Sequence, residues 1–189
     1  MDIILNTTFD NPRLPIAMRL GFRDSFERDA GTLIKTDDGK NWEQIGTAWG
    51  TTGDGAATGS GEVFADALSA DGTLTVKLRK VDTAGDKRGG IGFRAMDRNN
   101  YIRISHNTTG TLTFYVIENG SAVVSESTGA TLADGDVLAV SGQGTAIVIQ
   151  INGSTVFTYD TTAYQTATKH GLYSHSSNGN EYESIEFKP

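Results

Sequence analysis

Short stretches in which apolar and polar residues alternate recur along most of the chain, as at Leu112, Phe114 and Val116. A period of two places one side of a β-strand in a core, and no helical period of useful length competes with it. Aspartate, asparagine and glycine, which favour turns, separate the stretches. The pattern therefore predicts strands over 74–81, 91–96, 101–105, 111–118, 121–127, 146–151, 154–159, 171–174 and 182–187.

Two Asn-Gly pairs predict tight hairpins. Asn119-Gly120 and Asn152-Gly153 each separate two of these strands, and both residue types tolerate the positive φ of a type I′ turn. Many short antiparallel strands joined in this way predict an all-β protein, an antiparallel β-sandwich or jelly roll. The Gly-, Thr- and Ala-rich segment 46–61 is predicted to be a long surface loop joined to a short strand.

The prolines lie at the two ends of the chain, at Pro12, Pro15 and Pro189. Because proline is excluded from central strands, residues 23–189 are predicted to form the sandwich and residues 1–22 an N-terminal arm. Two interpretations of the arm stay open. It is either an edge strand with an irregular connection, or an apolar segment that docks on a neighbouring subunit. The second interpretation predicts a homo-oligomer, with a trimer as one arrangement.

Composition excludes several classes of protein. A length of 189 residues suits one domain with its own core. The absence of cysteine excludes disulfides, thiolate metal sites and cysteine nucleophiles. A net charge of −7 argues against general nucleic-acid binding. No apolar run approaches the ~20 residues of a membrane helix, so membrane insertion is not expected either.

Residues 24–42 carry a motif, Asp-x-Phe-x-Arg-x-x-Gly-x-Leu over 24–33 followed by Gly-x-x-Trp over 39–42. It resembles the start of concanavalin A-like lectin/glucanase (LamG-like) sandwiches. Residues 90–103 are similar to a hairpin of that family, and 171–173 and 185–187 to its last two strands. The resemblance covers residues 24–188 and implies a concanavalin-like jelly roll. The family contains enzymes, glycan binders and structural modules.

Such domains are frequent in bacteriophage minor tail and other virion surface proteins. The resemblance therefore implies a non-enzymatic virion structural protein, a minor tail, capsid decoration or fibre component with weak glycan or host-surface adhesion. Its location would be the virion, assembled in the host cytoplasm. Its partners would be other virion proteins, through the arm, and a cell-surface glycan. The alternative is a free-standing carbohydrate-binding module, which binds polysaccharide without a partner subunit.

A glycoside hydrolase is a third hypothesis. Glu181, Glu183 and Glu186 resemble the E-x-D-x-(x)-E string of sandwich glucanases, whose carboxylates lie on one face about 5 Å apart. Here the central residue is glutamate, and the string lies on the predicted last strand. Strict alternation also places Glu186 opposite the other two unless a bulge intervenes. We therefore expect no enzymatic activity.

No cofactor is expected. Calcium is the one metal for which the predicted turns offer candidate ligands. Asp97, Asn99, Asp134 and Asp136 offer hard oxygen ligands in turns. The same residue types are common in turns that bind no metal. The three histidines form no spacing typical of a zinc site or a catalytic triad.

Residues that alternate with the predicted core residues on three strands form one candidate ligand face. On strands 74–81, 91–96 and 101–105 these positions are Lys77, Arg79, Arg94, Met96, Tyr101 and Arg103. If the strands are neighbours in one sheet, the side chains share an outer face that suits an anionic or sugar partner. The alternative is a solvated face whose cations pair with Glu62, Glu118 or Glu183.

Overall fold

A computed structural model describes residues 20–45, 49–175 and 179–189, and these contain β-strands and no helix. The strands form two antiparallel sheets, named here the back sheet and the front sheet. In spatial order the back sheet contains β14 (Ser154–Asp160), β13 (Ala146–Ile151), β12 (Val137–Gln143), β7 (Gly72–Lys80), β16 (Glu181–Lys188), β5 (Ala57–Thr58), β4 (Gly50–Thr51) and β2 (Gly31–Thr32), and β1 (Phe22–Asp24) also pairs with β16. The front sheet contains β11 (Ser121–Thr131), β10 (Thr111–Glu118), β9 (Asn100–His106), β8 (Gly89–Asp97), β15 (Lys169–Ser174), β6 (Gly61–Asp66) and β3 (Trp42–Ile45).

The core lies between the two sheets and confirms the predicted alternation. Val76 and Leu78 of β7 face inward from the back sheet, and Ile102 and Ile104 of β9 face them from the front sheet. All four are fully buried. Burial of an aliphatic side chain contributes about 1.5–3 kcal/mol, so this shared core holds the sheets together.

Both Asn-Gly pairs form the predicted hairpin turns. Asn119 has a φ of 50° and Gly120 a φ of 78°, and they join β10 to β11. Asn152 and Gly153, with φ of 51° and 79°, join β13 to β14 in the same way. Two successive positive φ angles define the type I′ turn, whose twist matches that of the flanking strands.

The prediction of a long surface loop over 46–61 is wrong for residues 49–61. There β4 pairs with β5, and the indole ring of Trp49 is fully buried against Tyr182, with the ring centroids 5.7 Å apart. Gly59 lies directly beneath this ring, and a Cβ there would overlap it. The buried ring of Trp49 therefore packs this glycine-rich segment against the core.

The motif that begins at Asp24 is a structural unit. Asp24 is buried, and its carboxylate accepts hydrogen bonds from the backbone N–H of Phe26 (2.9 Å) and from Nε1 of Trp42 (2.8 Å). Arg28 pairs with Asp24 and with Asp37. Burial raises the pKa of Asp24, and these hydrogen bonds oppose the rise. Phe26 and Trp42 are core residues.

Residues 1–19 of the predicted arm lie outside the described residues. Phe22, at the predicted boundary of the arm, is 2% exposed and begins β1. Its ring packs on Trp42 and Phe187 of the sandwich, with centroid separations of 5.6 Å and 6.3 Å. Among the described residues, we find no helix with the length and apolarity needed to cross a membrane.

Candidate functional site

A second buried cluster lies on the outer face of the front sheet, the side turned away from the core. Phe64, Ala95, Tyr101 and Ile117 are at most 4% exposed, and the half-buried Tyr115 packs against them. Apolar and aromatic side chains on an outer sheet face mark a surface that differs from an ordinary solvated one. This face is therefore the candidate functional site.

Arg103 lies at the centre of this face, between two tyrosine rings. Its guanidinium carbon is 4.3 Å from the ring centroid of Tyr115 and 4.7 Å from that of Tyr173. Nη1 of Arg103 also donates a hydrogen bond of 3.2 Å to the hydroxyl of Tyr173. Stacking on two aromatic faces fixes the position of the guanidinium plane.

The sheet register brings these three side chains together. Tyr115 of β10 is directly opposite Arg103 of β9, whereas Tyr173 of β15 lies two strands away, across β8. On β8, glycine stands opposite Arg103 at Gly92 and opposite Tyr173 at Gly90. Tyr173 contacts Arg103 across this strand, where the rings of Phe64 and Tyr101 fill the space above Gly92 and the backbone of β9 approaches Gly90 closely.

Glu62 and Tyr101 complete the group, which we call the Arg103 cluster: Glu62, Tyr101, Arg103, Tyr115 and Tyr173. The hydroxyl of Tyr101 donates a hydrogen bond of 2.9 Å to Oε1 of Glu62. Burial raises the pKa of Tyr101, and the negative charge of Glu62 raises it further. Tyr101 is therefore a protonated hydrogen-bond donor at neutral pH.

Several polar atoms around the cluster have no hydrogen-bond partner. They are Nε of Arg103, Nε of Arg88 and the hydroxyl of Ser105, and all three atoms are buried. Ser105 itself is 1% exposed and lies beside Arg103 on β9, opposite Gly90. Unsatisfied buried polar groups are rare in folded proteins, and a bound ligand is one way to satisfy them.

The predicted ligand face is divided by the structure. Lys77 and Arg79 lie on β7 in the back sheet, whereas Arg94, Tyr101 and Arg103 lie on β8 and β9 in the front sheet. The prediction of one shared face is wrong because β7 pairs with β12 and β16 and not with the next strand in sequence. Lys77 instead pairs with Glu183 across strands at 2.7 Å, as the alternative interpretation expected.

Arg94 also departs from the predicted face, since its side chain is fully buried. The residue has a φ of 49° and lies in a β-bulge of β8, which interrupts the alternation. Its guanidinium pairs with Asp71 at 2.6 Å and donates to the backbone oxygens of Ala70 and Gly144. Arg94 therefore links loops of the back sheet to the front sheet.

The glutamates of the hydrolase hypothesis lie on β16 in the back sheet. A bulge in this strand follows Tyr182, so strict alternation does not apply. Glu183 pairs with Lys77, Glu181 with Arg79 at 3.5 Å, and Glu186 with Lys188 at 2.6 Å. Each is therefore neutralised by a cation and lies in the sheet opposite to the Arg103 cluster.

The predicted calcium ligands act as turn residues. The carboxylate of Asp97 accepts from the backbone N–H of Asn99 at 2.7 Å, and that of Asp134 accepts from Val81 at 2.7 Å. Asp136 accepts from Ala133 at 2.8 Å. Within the described ranges, no three acidic or histidine side chains lie close enough to hold a metal ion. The expectation of no cofactor stays a prediction, and calcium stays the alternative to it.

No protein-family model matches the sequence, and no curated protein matches it. Among solved structures, the chain is similar to a β-glucanase from Bacillus licheniformis, with 14% identity, a TM-score of 0.66, and coverage of 91% of this chain and 99% of that one. It is also similar to carbohydrate-binding module CBM66 from Bacillus subtilis, with 16% identity, a TM-score of 0.57, and coverage of 78% and 95%. A galectin from Caenorhabditis elegans matches with 14% identity, a TM-score of 0.52, and coverage of 65% and 85%.

The fold is a concanavalin-like jelly roll. This agrees with the resemblance drawn from the motif over residues 24–42. At such low identity the similarity establishes the fold alone, so the chemistry of the site has to come from this chain's own residues.

The sequence interpretation missed Glu62, Tyr115 and Tyr173. Alternation did contain a signal for Tyr115, which stands between the inward-facing Phe114 and Val116, and for Tyr173, which follows the inward-facing Leu172. It contained no signal that the two tyrosines converge on Arg103, since that depends on the order of β15, β8, β9 and β10.

Proposed function

We propose that this protein is a non-enzymatic glycan-binding domain and that the Arg103 cluster is its ligand surface. The observation that carries the proposal is the Arg103 guanidinium held between Tyr115 and Tyr173 on an outer sheet face. The carbohydrate-binding module and the galectin with similar folds support it. This is the free-standing binding module that the sequence left as an alternative.

The half-buried members of the cluster have complementary chemistry for a sugar. The guanidinium of Arg103 donates hydrogen bonds, the carboxylate of Glu62 accepts them, and the ring of Tyr115 offers an apolar surface to sugar C–H groups. Tyr101 and Tyr173 lie beneath and hold Glu62 and Arg103 in place. A rigid donor, an acceptor and an aromatic surface in one place are what a polar ring with hydroxyl groups requires.

The non-enzymatic part of the proposal rests on the carboxylates of the same face. Glu62 accepts from Tyr101, and Glu43 pairs with Lys169 at 2.6 Å. Asp66 accepts from the hydroxyl of Thr168 at 2.7 Å. A hydrolase needs a carboxylate free to protonate the leaving group and a second one to attack or to activate water. Each of these three is instead engaged by a protein group.

The virion role implied by the motif resemblance stays a prediction. It requires assembly with other virion proteins through residues 1–22 and a homo-oligomer, and residues 1–19 are outside the part of the chain described above. Glycan binding by the Arg103 cluster is compatible with such a role, because a virion surface protein can adhere to a host glycan.

A glycan array tests the proposal, with purified wild-type protein, Arg103→Ala, and Arg79→Ala as the matched control. Arg79 is an arginine of the back sheet that pairs with Asp54 at 2.8 Å. We expect wild type and Arg79→Ala to bind the same glycans and Arg103→Ala to lose them, with circular dichroism confirming that all three are folded. No binding to any glycan, or binding unchanged in Arg103→Ala, would contradict the proposal.

A further inference from the structure

The arginines of the sandwich differ in how their charge is balanced. Four arginines among the described residues are buried or half-buried: Arg28, Arg88, Arg94 and Arg103. Three of them pair with a carboxylate, namely Arg28 with Asp24 and Asp37, Arg88 with Asp86, and Arg94 with Asp71. Within the described ranges Arg103 alone of the four has no carboxylate within 4.0 Å. Its guanidinium instead contacts the rings of Tyr115 and Tyr173 and donates a hydrogen bond to the hydroxyl of Tyr173.

One buried hydrogen-bonding group of Arg103 has no partner among the described residues. Nη1 donates to Tyr173, whereas Nε is buried without a partner. Nε and Nη2 share the remaining edge of the planar group, and two parallel N–H donors on one edge match the two oxygens of a carboxylate. Within the described ranges, no carboxylate of the protein pairs with this edge.

The other unpaired atoms are of the same kind. Nε of Arg88 can only donate a hydrogen bond, and the buried hydroxyl of Ser105 can donate one. Both residues lie near Arg103. Ser105 is two residues further along β9. Arg88 lies close enough to Tyr173 that its charge, like that of Arg103, opposes the rise that burial causes in the pKa of Tyr173. An excess of unpaired donors calls for a ligand that supplies acceptors, and a charged acceptor forms the stronger hydrogen bond.

We propose that the Arg103 cluster is specific for acidic glycans and binds the carboxylate of a uronic or sialic acid residue. The carboxylate pairs with the guanidinium of Arg103, and the sugar ring lies on Tyr115. Glu62, on the other side of Tyr101, accepts from a hydroxyl group of the same glycan and repels a carboxylate placed there, which fixes the orientation of the ligand. This inference rests on the proposed glycan-binding function and adds the charge of the ligand to it.

Calorimetric titration with matched pairs of glycans tests the inference. The probes are oligosaccharides of galacturonic, glucuronic and mannuronic acid and sialyllactose, each beside the same compound with its carboxyl group reduced to the alcohol. We expect the acidic member of at least one pair to bind about tenfold or more tightly than its reduced partner. We also expect that affinity to fall as salt concentration rises.

Two arginine variants locate the effect. Arg103→Lys keeps the positive charge but removes the two-donor edge, so the acidic ligand should bind about tenfold more weakly while the reduced ligand changes little. Arg79→Lys, on the back sheet, should bind both ligands as wild type does. Equal affinity of wild type for acidic and reduced members would overturn the inference and leave the glycan-binding function standing. Failure to bind any member of any pair would also overturn the inference, whereas the glycan-binding function is overturned only if the glycan array shows no binding either.

Discussion

His170 makes the stability of the fold depend on pH. Its ring is fully buried, stacks on Phe187 with the centroids 4.0 Å apart, and lies tilted against Phe93 with the centroids 4.6 Å apart. Nδ1 accepts a hydrogen bond of 3.2 Å from the backbone N–H of Arg94, and Nε2 donates one of 3.0 Å to the backbone oxygen of Ser69. Only the neutral imidazole, protonated on Nε2, satisfies both contacts. Burial lowers the pKa of His170 to about 3.

The size of the effect follows from the two pKa values. In the unfolded chain the pKa is near 6.5, so below that pH the unfolded state takes up a proton that the folded state excludes. Burial of the neutral His170 ring therefore costs no stability above pH 6.5, and the free energy of unfolding decreases progressively as the pH falls from 6.5 towards 3. At pH 5, which is 1.5 units below the unfolded value, the loss is about 2 kcal/mol.

Urea unfolding at pH 7.5 and pH 5.0 measures this loss in wild type and in His170→Gln. Glutamine keeps an N–H for the oxygen of Ser69 but does not titrate. Because both proteins contain the same carboxylates and the same other histidines, their difference isolates His170. We expect the free energy of unfolding of wild type to fall by about 2 kcal/mol more than that of the variant. An equal fall in both proteins would refute the reasoning.

Three further predictions concern the segment at Trp49, calcium and hydrolysis. Gly59→Ala should lower the free energy of unfolding by about 1–3 kcal/mol, because the new Cβ overlaps the Trp49 ring, whereas Gly31→Ala, with open space around it, should lower it little in the same denaturation assay. The melting temperature should be unchanged by EDTA, and a fall of several degrees would reveal a calcium site. A β-glucan panel should release no reducing sugar with wild type, and hydrolysis that is lost in Glu181→Gln would show that the back sheet is catalytic.

The strands and hairpins of this fold could be predicted because they depend on local chemistry. Alternation at Val76 and Leu78 determines which side chains enter the core, and Asn119-Gly120 supplies the positive φ angles that its turn requires. Both features act over a few neighbouring residues. For that reason the sandwich and most of its strands were correctly predicted from the sequence.

The candidate site could be predicted only in part, because it depends on pairing between distant strands. Arg103 and Tyr101 were in the predicted ligand set and belong to the cluster. Lys77 was placed with them, but β7 lies in the other sheet between β12 and β16. The side chain of Arg94 is buried and not on the predicted face, because a bulge interrupts the alternation of β8. That bulge depends on a positive φ at Arg94, which arginine seldom adopts. Neither strand order nor a bulge of this kind leaves a periodic signal in the sequence.

Tyr173 shows what tertiary structure adds. It contacts Arg103 across β8, the strand that presents Gly90 and Gly92 between them. Glycines in a strand weaken it unless something uses the space, and here the rings of Phe64 and Tyr101 fill the space above Gly92. The sequence shows the glycines, but only the register shows which side chains meet above them.

Amide chemical-shift mapping shows where a glycan binds on this protein. Isotope-labelled protein is titrated with the tightest ligand from the array. If the outer face of the front sheet is the ligand surface, we expect the shifts to concentrate at Gly90, Arg103 and Tyr115. Shifts concentrated on the back sheet around Lys77 and Arg79, with the front sheet unchanged, would contradict it.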